Sequence, residues 1–310
     1  MTRVVFVLVP GVILLDLAGP SQVFASAAAI GAYDLTYVGE QPVIASSHGL
    51  VLQAQVHWPE LDPDDIVIMP GWRAPLEDGS GSLSEEGLQF LRGHHASGGT
   101  VASVCSGALA LGRAGLLDGR RCTTHHDIQQ ELGRRYPLAH VVPDVLFTED
   151  DRVMTSAGIA SGIDLALHIV ASRQGAPVAA QVARNMVVYA RRNGEAAQLS
   201  VLLSYRSHVD ELVHRVQDHI DEQFDRALPL DRLARIAGVS PRTLTRSFTA
   251  ATGLTPLRYQ QMLRQEHAEN LLEQGSTAEA AARAVGFGDA RMLRRLRQGA
   301  SFPAARPTRK

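Results

Sequence analysis

The first half of the chain alternates short, continuous apolar runs with longer stretches of helical periodicity. The runs are residues 4–9, 33–38, 66–69 and 100–104, and helical patterns fall near 17–30, 84–96 and from Gly107 onward. Runs that are apolar on both faces predict strands covered on both sides. Their alternation with helices predicts a mainly parallel sheet in an α/β domain. Residues 159–172 and 177–189 read as two further helices. The polar stretch 191–198 then interrupts the pattern, and an amphipathic helix over 208–224 opens a purely helical second half. The pattern divides the chain into an α/β domain at 1–190, a linker at 191–207 and an all-α domain at 208–310.

The helical half contains one pattern twice. Residues 233–248 read L-A-R-I-A-G-V-S-P-R-T-L-T-R-S-F, and residues 281–296 read A-A-R-A-V-G-F-G-D-A-R-M-L-R-R-L. Gly238 matches Gly286, Leu244 matches Leu293 and Arg246 matches Arg295, with one extra residue in the second turn. Each copy predicts a helix, a turn opened by Gly and a second helix shaped to enter a DNA groove. Ser240-Pro241 places a capping hydroxyl before a proline at the first helical position. Ser276-x-x-Glu279 has the spacing of a capping box. Leu244 and Phe248 share one helical face, and Arg242, Thr245 and Arg246 project from another. In the second copy the matching outward positions are Arg291, Arg294 and Arg295. The connecting helix, 256–273, spans roughly 27 Å at 1.5 Å per residue, near the length of one DNA turn.

Charge sharpens this reading. The net charge of the 310 residues is only −2, yet after residue 280 the sole acid is Asp289, set against seven arginines and Lys310. A basic end on a near-neutral chain fits local contact with phosphates. The stretch 208–298 resembles the AraC/XylS family of transcription regulators, and G-F-G-D-x-x-x-L-R-R at 286–295 is close to that family's second motif. The resemblance implies double-stranded DNA as partner. One departure stands out: Arg297 occupies the place that Phe248 fills in the first copy, where the family usually carries an aromatic. Pro303 and Pro307 exclude a regular closing helix.

Chemistry in the first half centres on Cys105. The strand at 100–104 runs directly into Cys105-Ser106-Gly107, which places a thiol on a tight strand-to-helix turn at the positive end of a helix dipole. Asp16 follows the first strand, and Thr123-Thr124-His125 offers an imidazole to the same sheet edge. The motifs V-P-G-V-x-L-L-D-L-A-G-P (9–20), I-M-P-G-W (68–72), V-C-S-G-A (104–108) and G-L-L-D-G-R-R-C-T-T-H (115–125) resemble the PfpI/ThiJ-type glutamine-amidotransferase-like domain. That resemblance implies a flavodoxin-like fold. It also implies a nucleophile at Cys105 with His125 and Asp16 beside it, and backbone N–H donors near Gly71 and Ser106. Joined to the AraC-type end, the chain is similar to GlxA-type regulators.

Other features suggest less. His125-His126-Asp127 has metal-binding residue types, but adjacent histidines on one helix are expected to point apart, so no metal and no cofactor is expected. His94-His95 reads as a wet helix end, and His168 as a satisfied core or interface residue. Two cysteines give no disulfide framework. Residues 3–27 imitate a secretory signal, but Pro10-Gly11 and Asp16 break the apolar run, and a buried strand followed by a turn fits better. No run is long enough to span a membrane. The expectation is a cytoplasmic, homodimeric transcription regulator whose first domain senses a small effector. The alternative is a cysteine-dependent hydrolase or hydratase with an accessory DNA-binding domain.

Overall fold

The computed structural model describes residues 1–310 except 29–32, 74–82, 189–193, 195–197, 199–200, 202–204, 207, 274 and 300–310, and describes only the backbone at 273 and 297–299. The chain divides into two compact units, Met1–Gln198 and Leu199–Lys310.

The first unit is built on strands β1 (Thr2–Leu8), β2 (Tyr33–Gly39), β5 (Ile66–Met69), β6 (Thr100–Val104), β9 (Phe147–Asp150) and β10 (Val153–Ser156), in the order β2-β1-β5-β6-β10-β9. All neighbours are parallel except β10–β9 at the edge. Counting only the parallel strands, the order is that of the flavodoxin-like doubly wound fold, which binds ligands outside the C-terminal strand ends near the point where the order reverses. Two short pairs lie outside this sheet: β3 (Val43–Ala45) with β4 (Val51–Gln53), and β7 (Arg121–Cys122) with β8 (His140–Val141).

Strand alternation sends side chains to two cores. Val4, Phe6 and Leu8 pack with Ile66, Ile68 and Val104 beneath helices α1 (Leu14–Ala28) and α5 (Ser161–Gln174), with α6 (Ala176–Asn185) beyond. Val5, Val7, Val67 and Met69 pack on the opposite face with α2 (Glu85–Ala96) and α3 (Ala108–Arg113). Helix α4 (Gln129–Arg135) completes the unit. The continuous apolar run of β1 is therefore a central strand buried on both sides.

The α5 helix begins at Ser161, two residues after the expected start, because Ile159 adopts a left-handed backbone, φ 52°. His94 is buried and its Nε2–H donates to the Asp65 carbonyl at 3.0 Å, so it is not on a wet helix end. His168 is half-buried, paired with Glu149 at 2.8 Å and packed on Phe147. Within the stretch read as a linker, Gly194 accepts hydrogen bonds from Leu146 and Phe147, and Gln198 is buried in the first unit.

The second unit contains α7 (Glu211–Glu222), α8 (Leu230–Ala237), α9 (Pro241–Thr252), α10 (Pro256–Glu273), α11 (Ala278–Ala284) and α12 (Ala290–Gly299). Ser240 caps α9 through Thr243 N–H, as its sequence predicts. The cap of α11 is Thr277, which accepts from Ala280 N–H, one residue later than the expected Ser276; with alanine at 280 the reciprocal half of a capping box is not made. Asp289 caps α12 by accepting from Arg291 and Met292 N–H at 2.9 and 3.1 Å. Pro303 and Pro307 lie outside the described residues, as does the side chain of Arg297.

Candidate functional site

The C-terminal ends of four adjacent strands converge on one point. Asp16 follows β1, Gly71 follows β5, Cys105 follows β6, and Gly158 and Ile159 follow β10. Asp16 is fully buried, and its Oδ1 accepts from Ile159 N–H at 2.6 Å. Its Oδ2 has no hydrogen-bond partner among the described residues. A Cβ on Gly71 would fall 2.3 Å from that oxygen and 2.9 Å from Cys105 Cβ, and one on Gly158 would fall 2.3 Å from Cys105 Cβ. Only glycine backbone fits against the carboxyl and the thiol here.

Cys105 has φ 55°, the left-handed turn that presents a nucleophile between strand and helix. Together with Ile159 it puts two non-glycine residues of positive φ at one site, each costing about 1–3 kcal/mol of backbone strain. Ser106 holds the turn: its Oγ donates to the Trp72 carbonyl at 2.9 Å and accepts from Trp72 N–H at 2.8 Å. The loops after β5 and β6 are thereby tied together.

Electrostatics oppose a thiolate. Burial pushes the Cys105 thiol up to about 12, and the neighbouring Asp16 charge adds to the shift, while Ser106 N–H offsets part of it. Burial also raises the Asp16 carboxyl, against the lowering effect of Ile159 N–H, the Cys105 thiol and Gly71 N–H. The helix-end effect expected to favour thiolate is outweighed, because burial disfavours the charged thiol and an Asp16 carboxylate beside it repels a second negative charge. Of the N–H groups expected as oxyanion donors, Gly71 lowers the Asp16 carboxyl and Ser106 lowers the Cys105 thiol.

His125 makes no hydrogen bond to Cys105 or Asp16 among the described residues. Its ring accepts from Asp127 N–H at 3.4 Å and lies 4.2 Å from the His126 ring. The neighbouring residue makes the connection instead: Thr124 Oγ1 donates to the Cys105 carbonyl at 2.7 Å. Contrary to the expectation from adjacent positions, the His125 and His126 rings do not point apart. A short 3-10 turn, His126–Ile128, folds them together with Asp127, with donor atoms within 4.8 Å of one another. His126 and Asp127 are exposed, and three consecutive residues on a surface turn are gathered by the chain itself rather than by a ligand.

The second candidate surface is on the helical unit. Arg242 and Arg246 are exposed on α9, while Leu244 and Phe248 are fully buried beneath them. Thr245 is half-buried and donates its hydroxyl to Pro241 O at 3.0 Å. On α12, Arg291, Arg294 and Arg295 are exposed above buried Leu293. Arg294 lies 3.7 Å from Glu279 in a pair exposed on both sides, which contributes little stability. Sequence reasoning missed Arg264 of α10. Its guanidinium donates to the carbonyls of Phe224 at 2.6 Å, Arg226 at 2.7 Å and Gly286 at 2.9 Å, and covers the Phe287 ring. A polar residue in the middle of an amphipathic helix gives no local sign of such partners.

Residues 2–172 match the DJ-1/PfpI family and residues 233–298 match a helix-turn-helix domain. The HTH-type transcriptional regulator GbdR of Pseudomonas aeruginosa is 30% identical over 200 residues, covering 63% of this chain and 53% of its own. The chain thus spans about half the length of that relative. The isonitrile hydratase of Pseudomonas putida is 36% identical over 179 residues, covering 56% of this chain and 73% of its own. The crystal structure of an AraC family transcriptional regulator from Pseudomonas putida superimposes with a TM-score of 0.53 at 25% identity, over 60% of this chain and all of that one. The chain belongs to the DJ-1/PfpI family and carries a C-terminal helix-turn-helix domain.

Proposed function

From this family membership and the tandem units behind it, we propose that the protein is an AraC-type transcription regulator. It binds double-stranded DNA through both helix-turn-helix units, and its DJ-1/PfpI domain holds a small-molecule effector at Asp16 and Cys105. One observation carries the reading: two capped recognition helices in one compact unit each bury a leucine inward and expose arginines outward, Arg242 and Arg246 on the first, Arg291, Arg294 and Arg295 on the second. Arg242, Arg246, Arg291 and Arg295 are the principal DNA contacts. Thr245 contributes its methyl group, since its hydroxyl is engaged within the helix, and Arg294 reaches DNA on release from Glu279. Losing one bidentate arginine costs about 1–3 kcal/mol of binding. Gel-shift titration of Arg246→Ala combined with Arg295→Ala is therefore expected to lose at least tenfold in affinity; unchanged affinity would defeat the assignment.

Self-association into a homodimer accompanies this reading. The β3–β4 hairpin exposes Val43, Leu50 and Val51, an apolar surface suited to a second copy. No helix among the described residues is long and apolar enough to cross a membrane, and a cytoplasmic DNA-bound role agrees with that.

The hydratase among the relatives raises the second reading, cysteine-dependent turnover. Two observations disfavour it: burial and the Asp16 charge push the thiol up to about 12, and the His125 ring accepts a hydrogen bond from Asp127 N–H. Alkylation of Cys105 by iodoacetamide is expected to be slow at neutral pH and to accelerate only in strongly alkaline solution. The same shift gives a stability signature. The folded thiol keeps its proton where the unfolded one has lost it, so stability is full below the ordinary thiol value near 9 and falls as pH rises towards 12. Cys105→Ala should flatten that fall in a denaturation series. Rapid alkylation at pH 7 would restore the enzymatic reading.

A further inference from the structure

We infer that Gln198 is a releasable latch, through which the Asp16–Cys105 pocket acts on the chain leading into the DNA-binding unit. The inference rests on the regulator reading and names how that site would be coupled. Gln198 is the last residue of the first unit, and Leu199 begins the second. Though it lies in a polar stretch, it is buried, and its Nε2 donates to Val145 O at 2.8 Å, Thr124 O at 2.9 Å and Thr123 Oγ1 at 3.4 Å. Thr124 in turn donates its hydroxyl to the carbonyl of Cys105. One residue therefore separates the strained turn that carries the thiol from the peg that closes the first unit.

The surroundings are largely buried and polar. Thr123 N–H donates to Thr155 Oγ1 at 2.6 Å, Thr155 meets Thr148 at 2.8 Å, and Thr123 Oγ1 donates to Val142 O at 3.0 Å. Such networks have discrete arrangements, because a half-made set of buried hydrogen bonds is costly. The amide orientation of Gln198 is set by chemistry: Val145 O and Thr124 O only accept, so the NH2 must face them.

Two features make the peg releasable. Its Oε1 is buried without a hydrogen-bond partner among the described residues, a cost of about 1–3 kcal/mol that release into water removes. In addition, Gln129 at the start of α4 directs its own amide to the same two acceptors, Thr123 Oγ1 at 3.4 Å and Thr124 O at 3.3 Å. When Gln198 leaves, Gln129 is placed to take up the Thr124 carbonyl. A ligand that moves the Cys105 turn pulls on Thr124 and shifts the balance between the two amides, provided it binds one arrangement more tightly.

The test is hydrogen exchange on the full chain with three variants. Gln198→Met keeps the volume and removes the amide, Thr124→Val removes the hydroxyl link, and Asp16→Asn perturbs the pocket. Exchange about tenfold faster at 123–125 and 105–107 in Gln198→Met is expected, since one lost buried hydrogen bond is worth about that factor. Asp16→Asn should change exchange at Gly194 and Gln198, and adding Thr124→Val should abolish that change. Unaltered exchange at 105–107 in Gln198→Met, or a response at Gln198 to Asp16→Asn that survives Thr124→Val, overturns the latch. If Gln198→Met does not fold, Asp16→Asn with and without Thr124→Val decides alone. Binding of the same proteins to duplex DNA separates the two claims: coupled exchange without any DNA binding sinks the regulator reading and leaves the latch standing, whereas DNA binding without coupled exchange does the reverse.

Discussion

The two helix-turn-helix units share a sequence pattern but are held together differently. The first rests on large apolar side chains: Leu244, Phe248, Tyr259 and Leu263 pack with Val213, Val216 and Ile220 of α7, and the Phe248 and Tyr259 rings meet edge to face at 5.7 Å. The core of the second is mostly alanine, Ala268, Ala281, Ala282 and Ala290, with Val285, Phe287 and Leu293. Smaller side chains bury less apolar surface, and burial is the main favourable term in such units. Polar bonds from Arg264 to three backbone carbonyls make up part of the difference. Even the matched glycines differ. Gly238 has φ 69° with open space at its Cβ position, whereas at Gly286, φ 77°, a Cβ would fall 1.8 Å from Asp225 O. A repeated motif specifies the turn; the packing around it decides how firmly each copy is held.

The comparison can be broken at several points. Phe248→Ala should have the largest effect, about 3–5 kcal/mol in chemical denaturation, because it empties the centre of the first core. Gly286→Ala follows at roughly 3 kcal/mol, while Gly238→Ala should cost about 1 kcal/mol, since only backbone strain is involved there. Equal losses at the two glycines would erase the distinction drawn above. Arg264→Lys should cost about 2 kcal/mol, as an ammonium cannot reach three carbonyls in a fixed fork. The smallest effects are at the caps, about 1 kcal/mol each for Ser240→Ala and Thr277→Ala. In the unmodified chain, hydrogen exchange over 289–298 should be faster than over 241–252, and equal protection would contradict unequal support.

Much of this organisation is legible in the sequence because it is local. The apolar runs of β1, β5 and β6, the Ser240-Pro241 cap, the αL glycine of the first turn and the strand-to-Cys105 junction depend on neighbours within a few residues. What is not legible depends on distant partners. Ile159 is 143 positions from the Asp16 carboxylate that fixes its N–H, and Gln198 is 74 positions from the Thr124 carbonyl. The Cys105 thiol is a similar case: its helix-end position favours thiolate, a neighbouring Asp16 opposes it, and only the depth of burial, the largest cause, decides the sign. The buried His94 and the stacked His125–His126 rings likewise follow from tertiary surroundings that residue spacing does not encode.

The central claim is that one chain reads DNA with two unequal units set a helix length apart. Selection of duplexes from a random pool by the full protein tests it most directly. The account predicts enrichment of two short sub-sites about one helical turn apart, roughly 10 base pairs, with the sub-site read by Arg242 and Arg246 more sharply defined than its neighbour. A pool that shows no enrichment, or a single sub-site unaffected by Arg246→Ala, would contradict it.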